Sequence, residues 1–105
     1  MGRFGVYANG NPHSKILYPF LLDVQSPLLD SLASRLVIPL ALMSRFPGLA
    51  IARLTPTVAV GGIDYLALTP QMAAVNKRDL GPLVLESVPN SQEILSAIDF
   101  LITGF

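Results

Sequence analysis

TPTVAVGGIDYLAL, residues 55–68, sets two apolar runs on either side of Gly61-Gly62. Each run is rich in strand formers, and glycine meets the positive φ angles of a tight primed turn at little cost, so the stretch predicts a β-hairpin. Strands joined this closely are antiparallel. The preceding chain follows the same style. RFGVYA (3–8) alternates Phe4, Val6 and Ala8 as a first strand, and ILYPFLLDV (16–24) predicts a second, with Pro19 marking an edge or a bulge. SRLVIPLAL (34–42) predicts a third, broken at Pro39. QMAAV and PLVLESV are shorter candidates on either side of a charged NKRDLG loop (76–81), and FPGLAIARL (46–54) is ambiguous. ANGNPHS (8–14) and QSPLLDS (25–31) are loops, the latter with an exposed-looking Leu28-Leu29 pair.

The last segment changes period. Asn90 is a good helix N-cap, Glu93 stands three places on to complete a capping-box pair, and Pro89 lies just outside. Ile94, Leu95, Ile98, Leu101, Ile102 and Phe105 then form one apolar stripe at helical spacing. Gln92, Ser96, Asp99 and Thr103 recur on the opposite side, and Phe100 sits off the stripe. The expectation is a mainly β domain closed by one C-terminal α-helix. Its 105 residues make it one domain, 1–105.

Composition adds a constraint. Hydrophobic residues make up 51 % of the chain and charged residues 13 %, against about 25 % charged in an ordinary domain. So small a domain cannot hide that excess in one copy, which points to an apolar self-association surface and most simply a homodimer. No charge-free run reaches the ~20 residues of a membrane-spanning helix. MGRFGVYANG has no apolar signal core, and Val6 stands where a myristoylation motif needs Ser or Thr, so the expected location is the cytoplasm. Zero formal net charge without basic blocks argues against autonomous nucleic-acid binding.

Candidates for chemistry are few. With no cysteine there are no disulfides and no thiolate catalysis or metal sites. His13 is the single histidine and lies in a loop without a paired acid or base. Asp23, Asp30 and Asp64 are too scattered to argue for a metal site. GVYANGN and VGGID lack the spacing of a phosphate-binding loop. Arg45, Arg53, Lys77 and Arg78 are scattered cations of the kind a solvated surface carries. The residues argue for a binding protein without cofactor or metal, and against an enzyme.

LLDVQSPLLDSLASRLVIPL (21–40) resembles the CcdB family of toxins from bacterial toxin–antitoxin modules, where a strand ending in Asp-Val-Gln-Ser leads through a loop to a strand carrying Arg-x-Val-Ile-Pro-Leu. The similarity continues at F-x-VY (4–7), Leu54, Pro56, Gly61, Tyr65, Met72-Ala73 and Ala97-Ile98, and it ends in a helix closing on x-Gly-x. The resemblance implies an SH3-like barrel, or antiparallel sheet, with one C-terminal helix, and a homodimer. It implies binding to the A subunit of DNA gyrase, trapping of the gyrase–DNA cleavage complex, and neutralisation by a CcdA-type antitoxin with which the toxin represses its own operon.

By the same resemblance the gyrase-binding residues are Leu28, Leu29, Asp99, Ile102, Thr103, Gly104 and Phe105. Leu28-Leu29 aligns with a family Ile-Ile pair. Gly104 matches the family's closing Trp-Gly-Ile, Phe105 replaces its isoleucine, and Thr103 replaces its tryptophan. Asp99 stands where the family has asparagine. The antitoxin site is expected at the 8–15 loop, through Asn9, Asn11, His13 and Lys15, and on the exposed side of the helix. Thr103 leaves an alternative open, a detoxified or re-targeted homologue that keeps the dimer and the antitoxin. An endoribonuclease toxin of similar architecture is a further alternative, and it would need a basic or histidine-containing cleft.

Overall fold

The computed structural model describes residues 3–46, 48, 51 and 53–104. Among the described residues, seven strands and one α-helix run in the order β1 (Val6–Asn9), β2 (Phe20–Asp23), β3 (Ser34–Leu42), β4 (Thr57–Val60), β5 (Ile63–Ala67), β6 (Ala73–Asn76), β7 (Leu80–Leu85) and α1 (Ser91–Thr103). All pairings are antiparallel in one sheet of order β4-β5-β3-β2-β1-β7, with β6 also on β3. The sheet is open, β4 and β7 being its two ends. The mainly β architecture with a single C-terminal helix is the one expected.

The β4–β5 hairpin forms at the predicted place. Val60 pairs with Ile63, and Gly61 and Gly62 adopt φ of +61° and +79°, both positive as a type I′ turn requires.

β3 spans the predicted 34–42 but is not broken at Pro39. Its first half pairs with β6 up to Val37 and its second half with β5 from Leu40, on the same edge. Pro39 falls in the gap between these partners, where its missing N–H costs no ladder bond. Its carbonyl accepts from Leu68 N at 3.0 Å.

Two other strands are shorter than expected. β1 starts at Val6 because Phe4 sits at φ +66°, where its N–H donates to Asp23 O at 2.7 Å and its carbonyl accepts from Val88 N. Residues 16–18 form turns rather than the start of β2. Lys15 N donates to Asn11 O and Tyr18 N to Ser14 O, so local turn bonds override the strand propensity of Ile16 and Leu17. The NKRDLG loop contracts to a 3₁₀ turn at Lys77–Asp79, with the Asn76 side chain accepting from Arg78 N.

Alternation along the strands creates two apolar faces. Val6, Leu22, Ile38, Leu40, Val58 and Tyr65 pack with Ile94 of α1 as the main core. Ala41, Leu66 and Leu68 face the other way, under Tyr18, Met43 and Phe46. Phe20 and Tyr65 meet edge to face with ring centroids 5.2 Å apart.

Candidate functional site

The link between β2 and β3, residues 24–33, is built by the side chains of its own DVQS entry. Asp23 Oδ1 accepts from Gln25 N at 3.0 Å. Gln25 reaches across the loop, its Oε1 accepting from Leu36 N at 2.9 Å and its Nε2 donating to Leu29 O at 3.0 Å. Ser26 caps a 3₁₀ turn at Pro27–Leu29 by accepting from Leu28 N, and Pro27 supplies the φ that a first helical position favours. The backbone tied in this way leaves the leucines open to solvent to different degrees. Leu28 is 92 % exposed, and Leu29 and Leu32 are each 47 % exposed.

Arg35 lies under this loop, and sequence reasoning missed it. It is the largest fully buried side chain among the described residues. Nη2 donates to Asp23 Oδ2 at 2.6 Å and Nη1 donates to Asp30 Oδ1. Asp23 and Asp30, which look isolated in sequence, are therefore brought together on one guanidinium. The hydrogen bond from Arg35 holds the Asp30 carboxyl below the usual carboxylate range. Burial works against the charge of Arg35, but the bonds to Asp30 and Asp23 outweigh it and raise its affinity for the proton. Burial, then the charge of Asp23, pushes the Tyr7 hydroxyl up. The detectable signal was the lone charge in SRLVIPLAL, an arginine at the head of an apolar strand.

The second group of candidates is the end of α1. Asn90 occupies the N-cap, but its side chain does not cap. Nδ2 donates instead to Thr57 O at 2.9 Å, tying the helix start to β4, and the first turn closes through Glu93 N to Asn90 O at 3.0 Å. The capping box expected from sequence is thus replaced by a bond to the sheet. Ile94 and Ala97 are fully buried, whereas Leu101 is 40 % and Ile102 69 % exposed. The helix docks through its first turns, and the stripe runs out into solvent. Thr103 is exposed, and its Oγ1 donates back to Asp99 O at 2.6 Å. Gly104 ends the helix at φ +80° with its N–H on Phe100 O, a left-handed cap that any side chain would strain. Phe100 is half-buried, with the Arg53 guanidinium 4.4 Å from its ring centroid. Phe105, also expected to bind gyrase, lies outside the described residues.

In the 8–15 loop the four expected antitoxin residues divide. Asn9 is buried and internally bonded, its Nδ2 donating to Ser14 Oγ and Tyr18 O and its Oδ1 accepting from Asn11 N. Asn11 Oδ1 accepts from His13 N at 2.8 Å. His13 and Lys15 are exposed. Asn9 and Asn11 therefore shape the loop, and the other two project from it. Among the described residues no cluster of three or more His, Asp or Glu is gathered as a metal site requires, and no helix is long and apolar enough to cross a membrane.

A family model described as CcdB protein matches residues 3–104. That span includes the DVQS loop, the Arg35 network, the hairpin and the helix through Gly104. The chain belongs to the CcdB family of toxins of toxin–antitoxin modules.

Proposed function

We propose that this protein is a homodimeric toxin that binds the DNA gyrase A subunit, traps the gyrase–DNA cleavage complex, and is neutralised by a CcdA-type antitoxin. It acts by binding rather than catalysis. The observation that carries the reading is the exposed Leu28-Leu29 tip, on a loop braced by Gln25 and Ser26, in a chain of this family. An exposed apolar pair on a rigid support is what a protein-binding anchor needs, because little entropy is left to lose on docking. Ile102 and Leu101 supply further apolar surface at the helix end, and the same excess supports a dimer. The test adds the protein to gyrase and supercoiled plasmid. Accumulation of cleaved DNA supports the reading, and unchanged supercoiling overturns it.

One observation favours a second reading, in which the dimer and antitoxin binding persist but gyrase is not poisoned. Thr103 stands in place of the family's tryptophan, its hydroxyl turned back onto the helix, beside the carboxylate-bearing Asp99. Antitoxin binding without gyrase inhibition would select this reading. Cleavage of bare RNA in a parallel reaction would replace both with an endoribonuclease.

A further inference from the structure

The exit of the 24–33 loop is held by a residue that lies far from it in sequence. Lys77, in the 3₁₀ turn after β6, donates from its backbone N–H to Ala33 O at 2.9 Å, and its Nζ donates to Asp30 O. Asp30 is also the residue whose carboxylate receives Arg35. The loop is thus closed from two sides, at its entry by Gln25 and Ser26 and at its exit by Arg35 and Lys77. Arg35 is buried and carries the fold, but Lys77 is only partly buried and can be changed without opening the core.

We infer that Lys77 is a positioning residue for the Leu28-Leu29 tip, pinning the loop through Asp30 so that the leucines are presented in one conformation. Its binding consequence rests on the gyrase reading above; the pinning itself does not. A long cationic side chain fits this position, since it brings a charged donor to a backbone carbonyl at the end of a flexible stem. Such a bond is worth a small factor in loop order, and preorganisation turns that factor into affinity.

The experiment compares the full chain with Lys77→Met, Lys77→Gln and Lys77→Arg, with circular dichroism to confirm folding. Amide hydrogen exchange of the unbound protein is read first at Leu29, Asp30 and Leu32, whose N–H groups close the loop turns. Lys77→Met and Lys77→Gln should speed exchange there by about three- to ten-fold, with the helix amides unmoved and Lys77→Arg close to the unaltered protein. Unchanged exchange at these amides overturns the inference whether or not gyrase binds. Affinity for the purified gyrase A subunit is read second, and Lys77→Met should weaken it by a similar factor. In a Leu28→Ala/Leu29→Ala background that loss should vanish, because Lys77 acts through the leucines. Persistence of the loss in that background overturns the positioning role. If the unaltered protein does not bind gyrase A, the functional reading fails while the exchange result still decides the clamp.

Discussion

Arg35 donates to Asp23 at 2.6 Å with neither side chain exposed to solvent, and the same guanidinium reaches Asp30 in the loop between β2 and β3. The pair therefore joins two adjacent strands to the loop between them. Removing one member of a buried pair leaves the other charge uncompensated, which typically costs about 3–5 kcal/mol. Arg35→Ala should lose stability on that scale by urea denaturation. A loss below about 1 kcal/mol would mean that water solvates the site.

Acid should loosen the loop before the sheet. The folded-state affinity of Asp30 for protons is depressed by the Arg35 hydrogen bond, so its contribution is fully present above the ordinary carboxylate range near pH 4 and is lost as pH falls through the lower, folded value. Stability followed from pH 6 to pH 2 should fall in the unaltered protein and fall less steeply in Asp30→Asn. Identical slopes would contradict the Arg35–Asp30 coupling.

The end of α1 should accept a new anchor. Thr103 is exposed, and its hydroxyl bonds within its own helix turn, so Thr103→Trp should change folding stability by no more than about 0.5 kcal/mol. On the gyrase reading it should strengthen gyrase inhibition by about 2 kcal/mol or more, the scale of an aromatic hot spot. Asp99→Asn in the same molecule should add to the gain, with coupling expected one helical turn apart. Supercoiling and cleavage-trapping assays measure both. A folded double variant with no activity would favour the re-targeted homologue.

Light scattering at micromolar concentration should return the mass of a dimer of the 11.3 kDa chain. The motive is the number of large apolar side chains left open, among them Ile16 at 74 %, Leu28 at 92 % and Ile102 at 69 % exposure. A monomer mass would remove the dimer from the proposed function.

In the 8–15 loop, a synthetic antitoxin tail should shift the amide resonances of His13 and Lys15, the exposed pair. Asn9→Ala should weaken the same binding indirectly, because it removes the bonds that hold Ser14, Tyr18 and Asn11 in place. Unmoved resonances across the loop would place the antitoxin elsewhere.

Sequence by itself determined the features that depend on neighbouring residues. Two glycines between strand formers can close only a tight turn, and Gly61-Gly62 does. Asn90 begins the helix, and the apolar spacing after it faces Ile94 to the core. The order of residues through DVQS and VIPL also carried the family, and the exposure of the Leu28-Leu29 pair was legible in the same stretch. Tertiary structure alone decided what those elements meet. Asp23 and Arg35 are 12 residues apart, and only the β2–β3 register, with Asp23 opposite Val37, lays the carboxylate beside the guanidinium. Pro39 is harmless because β3 changes partners there, which no local pattern encodes. The Asn90 side chain bonds β4 instead of capping its own helix because the carbonyl of Thr57 arrives within reach. Propensity acts over a few residues, whereas a buried charge or an unpaired donor finds its partner wherever the folded chain brings one.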